Sequence, residues 1–184
     1  MIVIGTERLA LRTWREEDKI PFAVMNADLE VMRYFPKALD REKSDAFAEK
    51  IMSLMAENGY GLWAVEEKAS GEFAGFIGFH PADFSSHFTP CIEIGWRLRR
   101  SSWGRGLATE GASACLDYGF AKFGFAEIYS FTSRINAPSI NVMRKIGLRE
   151  RGAFEHPNIA EGNPLKPHVL YGLSAAEYAS ARGG

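Results

Sequence analysis

The chain has 184 residues, 46% apolar and 24% charged, with a formal net charge of −1 and a pI near 6.4. That length fits one domain with a full core, and a near-neutral balance argues against a general nucleic-acid binder, which would be strongly basic. Cys91 and Cys115 are isolated and the four histidines lack metal-ligand spacing, so neither a disulfide framework nor a metal site is expected. Without a secretory leader pattern or an apolar run of membrane-spanning length, the expectation is a soluble cytoplasmic protein.

Residues 6–14 (TERLALRTW) alternate, with Leu9 and Leu11 on one face, and predict a first strand. Glu16, Glu17 and Asp18 put negative charge where a helix should begin, and Ile20, Phe22, Ala23 and Met25 supply its buried side. Residues 36–41 read as a loop. Asp40 or Ser44 could cap the next helix, with Phe47, Ile51, Leu54 and Met55 as its stripe and Asn58-Gly59 as its stop. Residues 60–66 and 72–80 predict a hairpin, and Gly75 and Gly78 within its second arm point to a bulge or close packing. Residues 81–90 read as a polar loop.

The stretch from 91 to 123 has three parts. Residues 91–98 (CIEIGWRL) alternate, with Ile92, Ile94, Trp96 and Leu98 on one face and Cys91, Glu93, Gly95 and Arg97 on the other, which is the period of a strand. Gly104 and Gly106 bracket Arg105 in a tight turn. From Leu107 to Phe123 there is no proline, and Ala108, Ala112, Cys115, Leu116, Phe120 and Phe123 recur at helical spacing. Glycine lets the backbone approach a ligand, and the first turn of a helix offers unpaired N–H groups and partial positive charge. Strand, basic glycine turn and helix together make an anion site suited to phosphate, with Arg99, Arg100 and Arg105 adding charge. A plain tight turn with solvated arginines is the alternative.

Residues 127–132 (EIYSFT) form a further expected strand. Residues 136–148 (NAPSINVMRKIGL) follow, with Asn136 as a natural N-cap, Pro138 in the first helical turn, Ile140, Met143 and Ile146 as the buried stripe and Gly147 as the stop. Strands are expected at 150–154 and 168–173, a short helix at 175–181, and fraying at Gly183 and Gly184.

These motifs resemble the GNAT N-acetyltransferase superfamily. WGRGLATEG at 103–111 is similar to the acyl-CoA pyrophosphate loop of the superfamily, and its Trp103 before the first glycine and Ala108-Thr109-Glu110 after the second are similar to the RimJ/RimL-like branch, the ribosomal-protein N-terminal acetyltransferases. The opening TERLALRTWREED, VMRYF at 31–35, the Asn136, Ser139, Lys145-Ile146-Gly147 pattern and the HVLYGL ending match the same branch. Two departures are Ser101, where Gln or Arg is frequent, and Leu148 in place of Phe. The resemblance covers residues 6–173.

The resemblance implies a single 1–184 domain of mixed α/β class: a twisted, mostly antiparallel sheet of about seven strands with helices on both faces, splayed at the fourth and fifth strands. It implies acetyl-CoA as co-substrate, no metal, and direct attack by an amine in a ternary complex. The pantetheine arm would lie along the backbone of Trp96, Leu98 and Arg99. The pyrophosphate would lie on Gly104, Arg105, Gly106, Leu107, Ala108 and Thr109, with Asn136 at the pantetheine or thioester end. Ser139 matches the serine thought to protonate the leaving thiolate. Glu93 is a candidate base, or else a structural carboxylate paired with Arg97. Met143 stands where many relatives carry a tyrosine, and Phe131 where some ribosomal relatives carry a glutamate. Tyr34 and Phe35 are candidates to line the acceptor site, ordinary packing being equally open. The implied acceptor is a protein N-terminal amine. A small-molecule amine (a polyamine, an amino acid or an antibiotic) and a non-catalytic CoA sensor are the rivals. Neither nucleic acid nor membrane is an expected partner, and monomer and homodimer are both open.

Overall fold

The N-terminal stretch expected as one strand folds as two, Ile2–Gly5 (β1) and Leu9–Arg12 (β2), paired antiparallel with Gly5 opposite Ala10. The computed structural model describes residues 1–182, so Gly183 and Gly184 lie outside the described residues. All four residues of β2 are buried, because both of its faces are covered. Its Leu9 side chain lies against Gly111, and its polar side chain, Arg12, is sealed by Asp18. The additional strand β1 brings the count to eight rather than about seven.

The chain gathers into two units, residues 1–80 with 95–115, and residues 81–94 with the chain from 116 onward. In the first, a 3-10 turn at Glu16–Asp18 leads into Lys19–Ala27 (α1). Arg41–Asn58 (α2) follows, capped by Asp40, whose Oδ1 accepts from the Lys43 N–H at 2.9 Å. Ser44, the other candidate cap, is fully buried and serves instead as hydrogen-bond partner to Asn26. Leu62–Glu67 (β3) and Glu72–Ala82 (β4) form the expected hairpin, with the register shifted between Val65 and Glu66. Gly75 and Gly78 are there for close approach. A Cβ at Gly75 would stand 2.1 Å from the Arg97 carbonyl oxygen, and one at Gly78 2.0 Å from that of Gly61.

Cys91–Leu98 (β5) runs from the second unit into the first, and the strand order in the first is β1-β2-β3-β4-β5. Its core is aromatic. Phe22, Met25 and Ile51 from the helices pack on Leu62, Ala64, Phe73 and Phe76, and Trp14 meets Phe22 edge-on at 4.9 Å. The opposite face takes Leu107–Tyr118 (α3), where Gly111 comes so close that a Cβ would lie 2.5 Å from the Ile77 side chain. Helices therefore cover both faces of this part of the sheet.

In the second unit the order is β5-β6-β8-β7, with Glu127–Ser133 (β6), Arg149–Glu155 (β7) and Pro167–Ser174 (β8). Pairings are antiparallel except between β5 and β6, which meet in parallel at Glu93 opposite Tyr129. Ala137–Lys145 (α4) and Ala175–Arg182 (α5) complete it. The helix expected to run to Phe123 changes at Gly119 into a single π turn, Gly119–Phe123, ended by Gly124 in the left-handed region. Among the described residues no helix is long and apolar enough to cross a membrane.

Candidate active site

In the first unit the glycine turn is built as its sequence requires. Gly104 and Gly106 hold φ of +70° and +77°, conformations that cost an L-residue about 1–2 kcal/mol. They turn the chain from a short 3-10 segment, Arg100–Ser102, into the N-terminus of α3. The N–H groups of Leu107, Ala108 and Thr109 belong to the first helical turn, which has no intrahelical acceptor for them. The turn is pinned from outside by Arg8, which donates to the Arg105 carbonyl at 2.8 Å and to Glu110. Glu110 also accepts from the Thr6 hydroxyl at 2.5 Å and the Arg8 N–H at 2.9 Å. Burial alone would raise the Glu110 carboxyl, but these donors outweigh it and hold it below its usual range.

The basic character of the turn is largely spent within the protein. Glu67, 6% exposed, accepts from the Ser102 hydroxyl at 2.6 Å and from Arg105 at 2.7 Å, with Arg99 at 3.7 Å. Arg99 also reaches Glu72 at 2.7 Å. Burial works to raise the Glu67 carboxyl, yet Ser102, Arg105 and Arg99 keep it below its ordinary value and ionised. Sequence reasoning missed Glu67 and Ser102. Neither carries a motif, and a carboxylate at the end of one hairpin arm gives no hint that it will meet a loop more than thirty residues later.

The backbone of β5 divides by edge. The Arg97 carbonyl faces Gly75 on β4, and the Arg99 N–H donates to the Ala74 carbonyl at 2.8 Å. Strand geometry turns successive backbone groups to opposite edges, so Trp96 and Leu98 present theirs away from β4. The Leu98 carbonyl accepts from the Trp103 indole at 2.8 Å. Trp96 and Leu98 thus offer an edge to an extended ligand, whereas Arg99's amide belongs to the sheet.

In the second unit Asn136, 7% exposed, caps α4. Its Oδ1 accepts from the Ser139 N–H at 3.3 Å and its Nδ2 donates to Thr132 at 2.9 Å. Ser139 is half-buried in the same first turn, and Met143, one turn further, is 1% exposed in the core. Glu93 is half-buried on β5 opposite Tyr129, and its charge is felt by His168. Tyr129 donates to Glu127 at 2.7 Å. Burial, with that bond and charge, raises its hydroxyl to about 12. Burial also lifts the Cys91 thiol to about 11 and the Cys115 thiol well above its ordinary value, so neither supplies a thiolate nucleophile near neutrality.

The 81–90 segment, read as polar, instead supplies Phe84 and Phe88 to an aromatic cluster with Phe131, Phe154, His156 and His168. The two imidazoles lie 4.9 Å apart. His168 Nδ1 meets the Lys166 carbonyl at 2.9 Å, and His156 Nδ1 accepts from the Asn158 N–H at 3.2 Å. Burial lowers both histidines, so both are neutral at pH 7. Two phenylalanines four residues apart in the loop were the only sequence signal of this cluster.

Residues 8–149 match the family described as the acetyltransferase (GNAT) domain. The protein YkkB of Bacillus subtilis is 34% identical over 146 residues, 78% of this chain and 83% of that protein. The N-acetyltransferase p20 of Bacillus licheniformis is 28% identical over 97% of this chain and 99% of its own length. A GNAT-family acetyltransferase from Bacillus anthracis superposes with a TM-score of 0.79 at 29% identity, covering 96% of this chain and all of that one. Two further structures share the fold at low identity. A RimL ribosomal L7/L12 α-N-protein acetyltransferase in complex with coenzyme A has a TM-score of 0.78 at 16% identity, over 96% and 99% of the two chains. A Vibrio cholerae spermidine N-acetyltransferase in complex with CoA and spermine has 0.74 at 18%, over 94% and 99%. The chain is a member of the GNAT acetyltransferase family, an enzyme of acetyl transfer.

Proposed function

We propose that this enzyme moves an acetyl group from acetyl-CoA to a primary α-amine, by direct attack and without an acyl-enzyme. The observation that carries the reading is the strand–glycine turn–helix itself. Two glycines in the left-handed region deliver the chain to a helix N-terminus, next to a strand edge on which Trp96 and Leu98 present backbone groups. Those features fit a pyrophosphate and an extended amide arm. Acetyl-CoA, when bound, supplies an activated acyl carbon and a thiolate leaving group.

The chain's own residues have three tasks. The turn from Gly104 to Thr109 would hold the diphosphate through backbone N–H groups. Side-chain charge would come chiefly from exposed Arg100, since Arg99 and Arg105 are tied to Glu67 and Glu72. The β5 edge at Trp96 and Leu98 would align the arm, and Asn136 would hold its thioester end while capping α4. Ser139 would give a proton to the departing sulfur, and Glu93, directly or through water, would take one from the attacking amine.

Two chemistries of acceptor are open to such a site, a protein N-terminus and a small amine, and the RimL and spermidine enzymes named above illustrate the two. The α-amine reading follows the resemblance of the two long motifs to the RimJ/RimL-like branch. A cytoplasmic location, with no partner beyond acetyl-CoA and the acceptor, completes it. The test is thermal unfolding with acetyl-CoA, using ATP and NAD as controls. A ligand at a hundred times its Kd stabilises the folded state by roughly 2.7 kcal/mol. A shift with acetyl-CoA alone is expected, and none at millimolar ligand would end the reading. Ser139→Ala should then lower kcat with little change in acetyl-CoA affinity, while Asn136→Ala should weaken that affinity.

A further inference from the structure

Among the described residues Arg97 has no counter-ion. Its Nη1 donates to the Asn26 Oδ1 at 2.7 Å, an amide oxygen that offers a dipole and no charge. Asn26 is completely buried and is held in that orientation by its Nδ2, which donates to the buried Ser44 hydroxyl at 2.9 Å. Around the guanidinium stand three phenyl rings, Phe35 at 4.1 Å, Phe76 at 5.3 Å and Phe47 at 5.7 Å. Nε is buried and has no hydrogen-bond partner. Among the described residues no carboxylate pairs with Arg97, so the expected alternative for Glu93, a bridge to this arginine, is not what holds it.

A guanidinium carries five N–H donors and no accessible neutral form. When one is drawn into an apolar box the protein normally supplies a carboxylate, as this chain does for Arg12 with Asp18 and Glu66. Ring faces compensate a cation only in part. Here one corner of the fork is spent on Asn26, and the edge formed by Nε and Nη2 is unspent. That edge matches the two oxygens of a carboxylate, and the phenyl walls strengthen such a pairing by excluding water. Phe35, 38% exposed, forms the outer wall of the box in the segment between α1 and α2, which the sequence marks as a candidate acceptor wall.

We propose that Arg97 receives a carboxylate of the acceptor, so that the amine acetylated here also bears a carboxylate. The source is either the α-carboxylate of a free amino acid or the acidic side chain of a terminal Asp or Glu in a peptide. This rests on the acetyl-transfer reading and deepens it. It counts against polyamines, whose cations Arg97 would repel.

The test follows thiol release by the full-length protein with acetyl-CoA and two matched acceptor series. One pairs free L-amino acids with their α-amides, and the other pairs short peptides starting in Asp or Glu with the same peptides starting in Asn or Gln. In one series the charged member should exceed the neutral one at least tenfold in kcat/KM, chiefly through KM. The series that responds names the source. Arg97→Gln should lower the charged member at least tenfold and bring the charged-to-neutral ratio near one, and Arg97→Lys, which keeps charge without the fork, should fall between. Equal rates within both series, a common loss for charged and neutral members in Arg97→Gln, or preference for spermidine overturns the proposal.

A direct readout covers variants that do not fold and stands apart from catalysis. The Arg97 Nε–H resonance of 15N-labelled wild-type protein, titrated with sodium acetate and with the free amino acids, should shift and saturate. An unmoved resonance overturns the carboxylate site even where acetyl-CoA binds. An acetyl-CoA failure with a saturating shift sinks the acetyl-transfer reading and keeps the site.

Discussion

Arg12, which is buried, and Arg97, which is half-buried with its Nε out of solvent, lie in the same unit, and the protein treats them in opposite ways. Arg12, 2% exposed, lies in a bidentate pair with Asp18 at 2.7 and 2.8 Å, and its Nε reaches Glu66 at 2.8 Å. The bond to Asp18 holds its guanidinium above the ordinary value against the pull of burial. Arg97 has an amide and three phenyl rings, and burial pushes it down to about 10. One arginine is a structural pin joining β2, the 3-10 turn and β3. The other is a charge whose partner the fold does not provide. Charge written in a sequence is therefore not charge available to a ligand: the turn arginines Arg99 and Arg105, which look free, are engaged, and Arg97, which reads as half of an ion pair, is not.

The largest expected effect separates the two. Asp18→Ala takes the bidentate partner from buried Arg12, leaving only Glu66 at its Nε, and should cost about 3 kcal/mol, read by urea denaturation. Arg97→Met removes an uncompensated charge at similar volume and should cost less than about 1.5 kcal/mol or stabilise. Equal losses would erase the contrast and make Arg97 a structural residue.

Next in size is the glycine turn. Gly106→Ala should destabilise by about 1–2 kcal/mol and weaken acetyl-CoA about tenfold, close to 1.4 kcal/mol, measured by calorimetry. Gly59→Ala, at φ +73° at the end of α2, should show the stability loss alone. If both variants bind acetyl-CoA normally, the turn is only a turn. In the second unit, Asn136→Ala should cost about 1 kcal/mol through the lost cap of α4, and Asn136→Asp should recover most of it, because a carboxylate oxygen can still accept from the Ser139 N–H.

The smallest effect concerns pH. His156 and His168 are lowered from 6.5 chiefly by burial, so the unfolded chain binds more protons than the folded one just below that value. Stability should be at its plateau above pH 6.5 and decline as pH falls through the window beneath it. His168→Phe should flatten this part of the Tm profile. A second decline belongs to the carboxylates. Glu177, held near 2 by the Ser174 N–H and Arg151, and Glu67 and Glu110 lose their contributions only as pH falls below 4.5.

Much of the fold was legible along the chain. The period of two at 91–98 and the helical spacing from Leu107 stand where β5 and α3 stand, and Gly75 and Gly78 announced close packing. What misled was residue character read in isolation. Arg12 sits on the polar side of an alternating strand and is buried. Phe84 and Phe88 lie in a loop called polar and join a six-ring cluster. Tyr34 and Phe35 were equally balanced between packing and acceptor wall, and the Arg97 guanidinium, 4.1 Å from the Phe35 ring, ties Phe35 to the carboxylate site we propose.

The sequence by itself determined the local elements and the glycine turn, because periodicity, caps and left-handed glycines act over a few residues. The family follows from the same two motifs in order. Tertiary structure alone decided which charges are spent. Glu67 meets Arg105, and Asn26 meets Arg97, across separations of 38 and 71 residues. Whether a cation drawn toward the core finds a carboxylate or only an amide depends on what packing brings to within 3 Å, and no local pattern encodes that.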